Sequence, residues 1–277
     1  MKNAVAVARQ TVVGESTNNM KNLQSYFSIL GELSVKAGAI ARRHYNSQVE
    51  FERKSDDSPV TKADREIETF LRQALEKQFP DHSILGEEFG ETKKPGSYRW
   101  ILDPIDGTKS FVLRTPLFGI MIALERDGVP VLGSIYFPIQ EHWLIGSADT
   151  GTFLNGKPCS VSKTTELSDA TMILTNPREL YSETHGEQLQ RLAKKVRLVR
   201  GFGDCYGYYL VATGLADLMV EPGQLKYYDV APMPPILAGA GGVFTDLSGN
   251  VDLLNGQGLA TTPQLQEQIL RVLNPAK

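Results

Sequence analysis

The sequence predicts a layered α/β sandwich, and the order of its elements carries that prediction. Residues 118–145 read as an antiparallel meander, so the first half builds sheet from hairpins. After about Pro158 the pattern changes to alternating strand and helix. The 277 residues are 41% hydrophobic and 22% charged, enough apolar material for one large domain or two small ones sharing an interface.

Residues 1–22 contain a short Ala/Val run cut off by Arg9 and Gln10, too brief for the apolar part of a signal peptide. They read as a loosely ordered extension. From 23 to 45, Leu23, Tyr26, Phe27, Leu30, Leu33, Ala37, Ile40 and Ala41 recur at helical spacing. Val49, Phe51 and Arg53 alternate as in a strand, and Asp56-Asp57-Ser58-Pro59 reads as a loop. A second helix begins between Thr61 and Asp64, turns Ile67, Phe70, Leu71, Ala74 and Leu75 inward, and stops before Pro80. Strand-like runs at 83–85 and 98–102 each end in acidic residues. A helix starts at Thr108, and Asp127-Gly128, Asp149 to Gly151 and Asn155-Gly156 mark turns. Strands are then expected at 172–175, 196–199 and 217–220, and helices at 206–213, 230–240 and 264–273. This divides the chain into an α+β half, 23–158, and an α/β half, 159–277.

Several function classes are excluded. Twenty-nine Lys and Arg against thirty-two Asp and Glu leave a net charge of −3. No basic excess marks a nucleic-acid or anionic-membrane partner. His44, His82, His142 and His185 form no His-x3-His pair and no Ser/His/Asp arrangement, which argues against a zinc hydrolase and against phosphohistidine chemistry. Cys159 and Cys205 cannot make a disulfide framework and fit a reduced, cytoplasmic compartment. No apolar run reaches the roughly 18 residues of a membrane span, and the longest uncharged stretch, 230–245, is broken by Pro232, Pro234 and Pro235.

The most informative stretch is Trp100-Ile101-Leu102-Asp103-Pro104-Ile105-Asp106-Gly107-Thr108. An apolar strand delivers Asp103 at its end, Pro104 forbids a regular continuation, and Gly107 permits a tight turn into a helix. This arrangement can aim two carboxylates and the Ile105 carbonyl into one small volume. Like charges that close require a cation, and an oxygen-only donor set favours a hard one, Mg2+. The N–H groups of Gly107 and Thr108 are placed to meet a phosphate oxygen. Taken alone, a solvated turn with a capping acid accounts for the motif equally well. Glu87 and Glu88 end another strand, Asp229 precedes the apparent helix 230–240, and Asp64 lies in a first helical turn. Each has an ordinary surface or capping reading as well.

Together these segments resemble the inositol monophosphatase-like Mg2+-dependent phosphatases. The match runs in order from about Leu23 to Gly249: Val60 to Asp64, Leu85 to Glu88, Trp100 to Phe111, Leu210 to Gly214 with Asp217, Asp229-Val230-Ala231, and Gly239 to Gly242. Their joint occurrence is specific where no single piece is. The resemblance implies a five-layer αβαβα sandwich, usually a homodimer, with two or three Mg2+ per active site. It implies that Glu87, Asp103 and the Ile105 carbonyl hold the first Mg2+, and that Asp103, Asp106 and Asp229 hold the second. Glu88 becomes a supporting acid near a weaker third ion. Asp64 and Thr108 become the pair that orients and deprotonates the attacking water.

The reaction expected from this resemblance is hydrolysis of a small phosphate monoester by direct attack of metal-activated water. Gly203-Asp204 followed by Tyr206 and Tyr209, with Glu221-Pro222 downstream, resembles the histidinol-phosphate phosphatases of the family, and Lys109-Ser110 points the same way less sharply. L-Histidinol phosphate carries an ammonium and an imidazole beside its phosphate, groups suited to Asp204 and Glu221. Gly107, Thr108 and Asp229 complete the expected substrate contacts. The alternatives are an inositol or sugar phosphate phosphatase of the same family and a non-catalytic scaffold. A structural reading makes Asp204 a helix cap and Glu221 a strand-end surface acid. Tyr206 and Tyr209, three residues apart, are read as core. Two departures from the family pattern, Tyr228 before Asp229 and the run Pro232-Met233-Pro234-Pro235 after it, bear on where Asp229 sits. Gly239 to Gly242 follow a helix rather than opening one, which argues against a dinucleotide site.

Overall fold

The structure, a computed structural model, describes residues 25–47, 51–53 and 59–275. The extension 1–22 and the loop residues Asp56, Asp57 and Ser58 lie outside the described residues. Helix α1 covers 25–45, followed by the antiparallel pair β1 (Phe51–Arg53) and β2 (Pro59–Thr61) and by α2 (Lys62–Gln78). The helical spacing read from the sequence has its physical cause here. Leu30, Leu33, Ala37 and Ala41 of α1 and Ile67, Leu71 and Leu75 of α2 pack on one face of a large sheet, in a core with Trp100, Leu102, Ile120, Ile122 and Leu124.

That sheet has eight strands. They are β3 (Ser83–Gly86), β4 (Gly90–Thr92), β5 (Tyr98–Asp106), β6 (Gly119–Arg126), β7 (Val129–Phe137), β8 (His142–Ser147), β9 (Gly151–Leu154) and β10 (Lys157–Cys159), in the order β10-β9-β8-β7-β6-β5-β3-β4. A short helix, α3 (Thr108–Val112), follows β5. Strand β6 is apolar along nearly its whole length because both of its faces are covered. Ile120, Ile122 and Leu124 face α1 and α2, whereas Met121 faces the opposite core.

The second half begins with β11 (Thr171–Leu174), α4 (Gly186–Ala193), β12 (Leu198–Arg200), α5 (Asp204–Ala212) and β13 (Leu218–Glu221). It ends with α6 (Tyr227–Val230), α7 (Met233–Gly239), β14 (Val243–Thr245), β15 (Gly258–Thr261) and α8 (Pro263–Leu273). Its five strands run β12-β11-β13-β15-β14. Helices α5 and α7 lie between the two sheets: Tyr208, Val211, Met233 and Ile236 pack with Met121 and Ile135 of one and Ile173 and Met219 of the other. Helices α4 and α8 cover the far face through Leu189, Leu192, Leu265 and Ile269. The layers are therefore αβαβα.

One expected element divides. The helix expected at 230–240 is two helices, with Asp229 inside α6 and Pro232 as the N-cap of α7. Proline fits the start of a helix but not its interior, so Pro232, Pro234 and Pro235 begin a new helix instead of continuing the old one. Tyr209 is buried against Phe137 and belongs to the core, as expected, whereas Tyr206 packs on that core but is only partly buried.

Candidate active site

The site is assembled by strand register. β3 and β5 are parallel, with Gly86 opposite Leu102, and the Glu87 N–H donates to the Leu102 carbonyl at 3.2 Å. Glu87, just past β3, and Asp103, within β5, consequently stand side by side. Three residues apart, Asp103 and Asp106 would face opposite sides of an unbroken strand. The pairing of β5 with β6 slips between them, and this irregularity turns both carboxylates to one place. Asp229 joins them from α6, where its carboxylate accepts the Lys226 N–H at 2.7 Å. One carboxylate oxygen from each of Asp103, Asp106 and Asp229 lies within 4.8 Å of the others. The proline run after Asp229 has not moved it out of the cluster.

The electrostatics of this cluster are uncompensated. Asp103 is 2% exposed, and its Oδ1 is buried with no hydrogen-bond partner. Burial, then the charges of Glu87, Asp106, Asp229 and Asp64, hold its pKa well above the ordinary carboxylate value. Burial pushes Asp229 up to about 7, against the hydrogen bond from Lys226 and with the help of Glu87. Asp106 is raised by burial and by Asp204 and Asp229, although the Cys205 N–H donates to its Oδ2. Buried carboxylates arranged like this fit a cation: each oxygen is a hard donor, and an orphaned buried oxygen requires a partner.

Asp64 has two partners and one anomaly. It is the third residue of α2, and its Oδ2 accepts the Thr61 N–H at 2.8 Å and the Thr61 hydroxyl at 2.5 Å, which closes a capping box. Burial nonetheless pushes its pKa up to about 7, with Glu87 and Glu88 adding to the rise, so the capping acid also borders the cluster. The Thr108 hydroxyl donates to the Ile105 carbonyl at 2.9 Å. Gly107 caps α3 with φ +81°, and a Cβ there would lie 2.9 Å from the Leu117 carbonyl oxygen and 3.3 Å from Asp204 Oδ2. Glycine is required by both the turn and the space.

A cleft of about 530 Å³ joins the cluster to the second half of the chain. Glu87, Asp106 and Asp229 line it together with Asp204, Glu221 and Lys109. The structure overturns the structural alternatives for the two second-half acids. Gly203, not Asp204, is the N-cap of α5, and Asp204 stands at φ +50°, a backbone region unusual for a residue with a side chain. Glu221 ends β13 at 7% exposure and is not a surface acid. Burial raises Asp204 to about 6, against the pull of Lys109. Glu221 is raised well above the usual range by burial, then by Asp204, Asp106 and Asp229.

Residues 22–277 match the sequence profile of the inositol monophosphatase family. The chain belongs to that family. It is 39% identical over 231 residues to a histidinol-phosphatase of Chlorobaculum parvum, covering 83% of this chain and 89% of the relative. It is 31% identical over 264 residues to inositol monophosphatase 1 of Solanum lycopersicum, covering 91% and 96%. The crystal structure of the extragenic suppressor protein suhB from Bartonella henselae superposes with a TM-score of 0.85 at 28% identity, over 91% of this chain and all of that one. The protein is a phosphatase with the inositol monophosphatase fold. Among its described residues, no helix is long and apolar enough to cross a membrane.

Two residues of this phosphatase's site escaped the reading of the sequence. Glu68, fully buried on α2, accepts the Glu88 N–H at 2.7 Å, the Phe89 N–H at 3.2 Å and Arg72 Nε at 2.8 Å, and so fixes the turn that carries Glu87. A charge within the stripe Asp64, Glu68, Leu71, Leu75 was the available signal. Thr175, just past β11, accepts the Asp204 N–H at 2.8 Å and donates to Glu221 Oε1. A hydroxyl after a strand carries no signal of its own.

Proposed function

We propose that the chain is a Mg2+-dependent phosphate monoester hydrolase whose substrate is L-histidinol phosphate. The observation that carries the substrate reading is the pair formed by buried Glu221 and partly buried Asp204, in the cleft that also holds Glu87, Asp106 and Asp229. Buried acids without a cationic partner are unfavourable, so a ligand with an ammonium and an imidazole is preferred to a neutral polyol. The histidinol-phosphatase name of the Chlorobaculum relative supports the same choice.

In this reading Glu87, Asp103, Asp106 and Asp229, with the Ile105 carbonyl, hold two or three Mg2+. Bound there, the metal supplies Lewis-acid polarisation of the phosphate and of water. The chain's own groups do the rest. Asp64, its Oδ2 held by Thr61, has Oδ1 left to take a proton from the attacking water. The Thr108 hydroxyl, fixed on the Ile105 carbonyl, orients that water. The amides of Gly107 and Thr108 bind a phosphate oxygen. Asp204 and Glu221, with Asp229 beside them, grip the leaving group. Assembly as a homodimer in the cytoplasm belongs to the same proposal.

The test compares L-histidinol phosphate, inositol 1-phosphate, fructose 1,6-bisphosphate and an aryl phosphate, each with Mg2+ and with chelator. L-Histidinol phosphate is expected to have the highest kcat/KM, with every activity lost in chelator. Asp204→Asn is expected to reduce that kcat/KM about tenfold or more beyond its effect on the aryl phosphate. Preference for inositol 1-phosphate would replace the substrate, and phosphate release indifferent to chelator would refute the metal reading.

A further inference from the structure

β11 and β13 run parallel, with Leu174 opposite Val220, so Thr175 and Glu221 emerge side by side at the carboxyl ends of neighbouring strands. Thr175 has one proton to give and gives it to Glu221 Oε1. Its oxygen takes the N–H of Asp204, the first residue of α5. One hydroxyl thus ties the Glu221 carboxylate to the backbone of Asp204 at the leaving-group end of the cleft. Two further features depend on this tie. Asp204 stands at φ +50°, a strained conformation that its fixed N–H helps maintain. Gly203 lets the chains approach: a Cβ there would fall 2.0 Å from Thr175 Cα and 2.1 Å from its Oγ1.

We propose that Thr175 is a positioning residue that locks Asp204 and Glu221 into a single rigid receptor for the polar end of the leaving group. Thr175 lines the cleft, and its hydroxyl is engaged by Asp204 and Glu221. With Oε1 of Glu221 engaged by the hydroxyl, Oε2 is the oxygen left for a ligand. The Asp204 carboxylate, held beside Gly107, places the receptor directly against the turn that carries Thr108. Two carboxylates fixed in advance bind a matching ligand without being ordered by it, whereas free ones lose affinity to that ordering. Thr175 therefore governs discrimination between leaving groups. The inference rests on the proposed function, because it takes the cleft as the seat of the ester.

The experiment measures kcat and KM of wild type, Thr175→Val and Thr175→Ser on L-histidinol phosphate and on p-nitrophenyl phosphate, whose leaving group offers no cation. Valine keeps the shape and loses both hydrogen bonds; serine keeps both. Thr175→Val is expected to raise KM for L-histidinol phosphate about tenfold more than for the aryl ester, the loss falling on KM rather than kcat, with Thr175→Ser within about threefold of wild type. Thr175→Ala reads the same contrast if the valine variant does not fold. Equal losses on both esters, a serine variant as impaired as valine, or no change in KM would each overturn the proposal. If the wild type itself prefers a neutral ester, the substrate assignment fails; the same contrast, taken on the preferred ester, still decides the role of Thr175.

Discussion

Asp103→Asn separates a structural carboxylate from one kept for a cation. The substitution preserves shape and removes one charge from a group whose oxygens lie within 4.8 Å of those of Asp106 and Asp229. At that separation and an effective dielectric constant of ~20, each like-charge pair is repulsive by ~3 kcal/mol, and the variant relieves two pairs. Proton uptake by the wild type relieves part of the same strain, so we expect a net gain of ~3 kcal/mol for the metal-free variant near pH 8. For a chain of this size that raises Tm by ~6–12 °C. The assay is thermal denaturation of both proteins in chelator and in millimolar Mg2+, with phosphate release measured in parallel. Wild type is expected to melt lower in chelator and to gain strongly on Mg2+ addition, whereas the variant melts higher, gains little and is nearly inactive. An asparagine variant that melts well below wild type in chelator, while keeping Mg2+-dependent turnover, would refute the reasoning, because Asp103 would then be stabilising the fold through its charge.

Two other outcomes follow from the same geometry. Asp64 and Asp229, pushed up to about 7 from an ordinary 3.8, hold protons in the folded chain over an interval where the unfolded chain has released them. Their contribution to stability is therefore full below 3.8 and lost as pH rises through about 7. For Asp64 alone this amounts to at most ~4 kcal/mol. Metal-free protein should melt higher near pH 5.5 than near pH 8, and Mg2+ should raise Tm more at the higher pH; a Tm independent of pH in chelator would count against both. Glu68→Gln removes the charge that Arg72 pairs with at 2.8 Å while keeping one acceptor for the Glu88 N–H. A loss of ~3 kcal/mol is expected, with weaker Mg2+ binding by calorimetry as the Glu87 turn loosens.

How much of this was legible in the sequence depends on whether a feature is local. Helix α2 could be read from the spacing of Ile67, Leu71 and Leu75, because burial of one stripe leaves a one-dimensional trace. So could the Asp-Pro-x-Asp-Gly turn, where proline and glycine each mark the backbone directly. The convergence of Glu87 with Asp103 could not, since it follows from the parallel register of β3 and β5, which no periodicity encodes. The family resemblance supplied that adjacency instead. The division between α6 and α7 was a local misreading: an uncharged, apolar run looked like one helix, although Pro232, Pro234 and Pro235 carried the break.

The same distinction explains why the two halves of the site differ in how they are held. Around the acidic cluster Glu68 pairs with Arg72 and takes the Glu88 amide, while Asp106 and Asp229 take the neutral backbone amides of Cys205 and Lys226. The leaving-group end is held by one neutral hydroxyl between two carboxylates, Asp204 by its backbone and Glu221 by its side chain. The hydroxyl adds no charge of its own, so it fixes the two residues without neutralising either, and Lys109 is the cation that acts on Asp204 from within the cleft. Such a pair of acids suits the cationic leaving group of the proposed substrate. An arginine at position 175 would bring a cation to the two acids, although it offers no acceptor for the Asp204 N–H, and would weaken the reason for a cationic ligand to bind. Thr175→Arg is accordingly expected to preserve the Mg2+-dependent rise in Tm while abolishing any preference for L-histidinol phosphate over p-nitrophenyl phosphate; a preference that survived the arginine would show that the two acids do not select the ester.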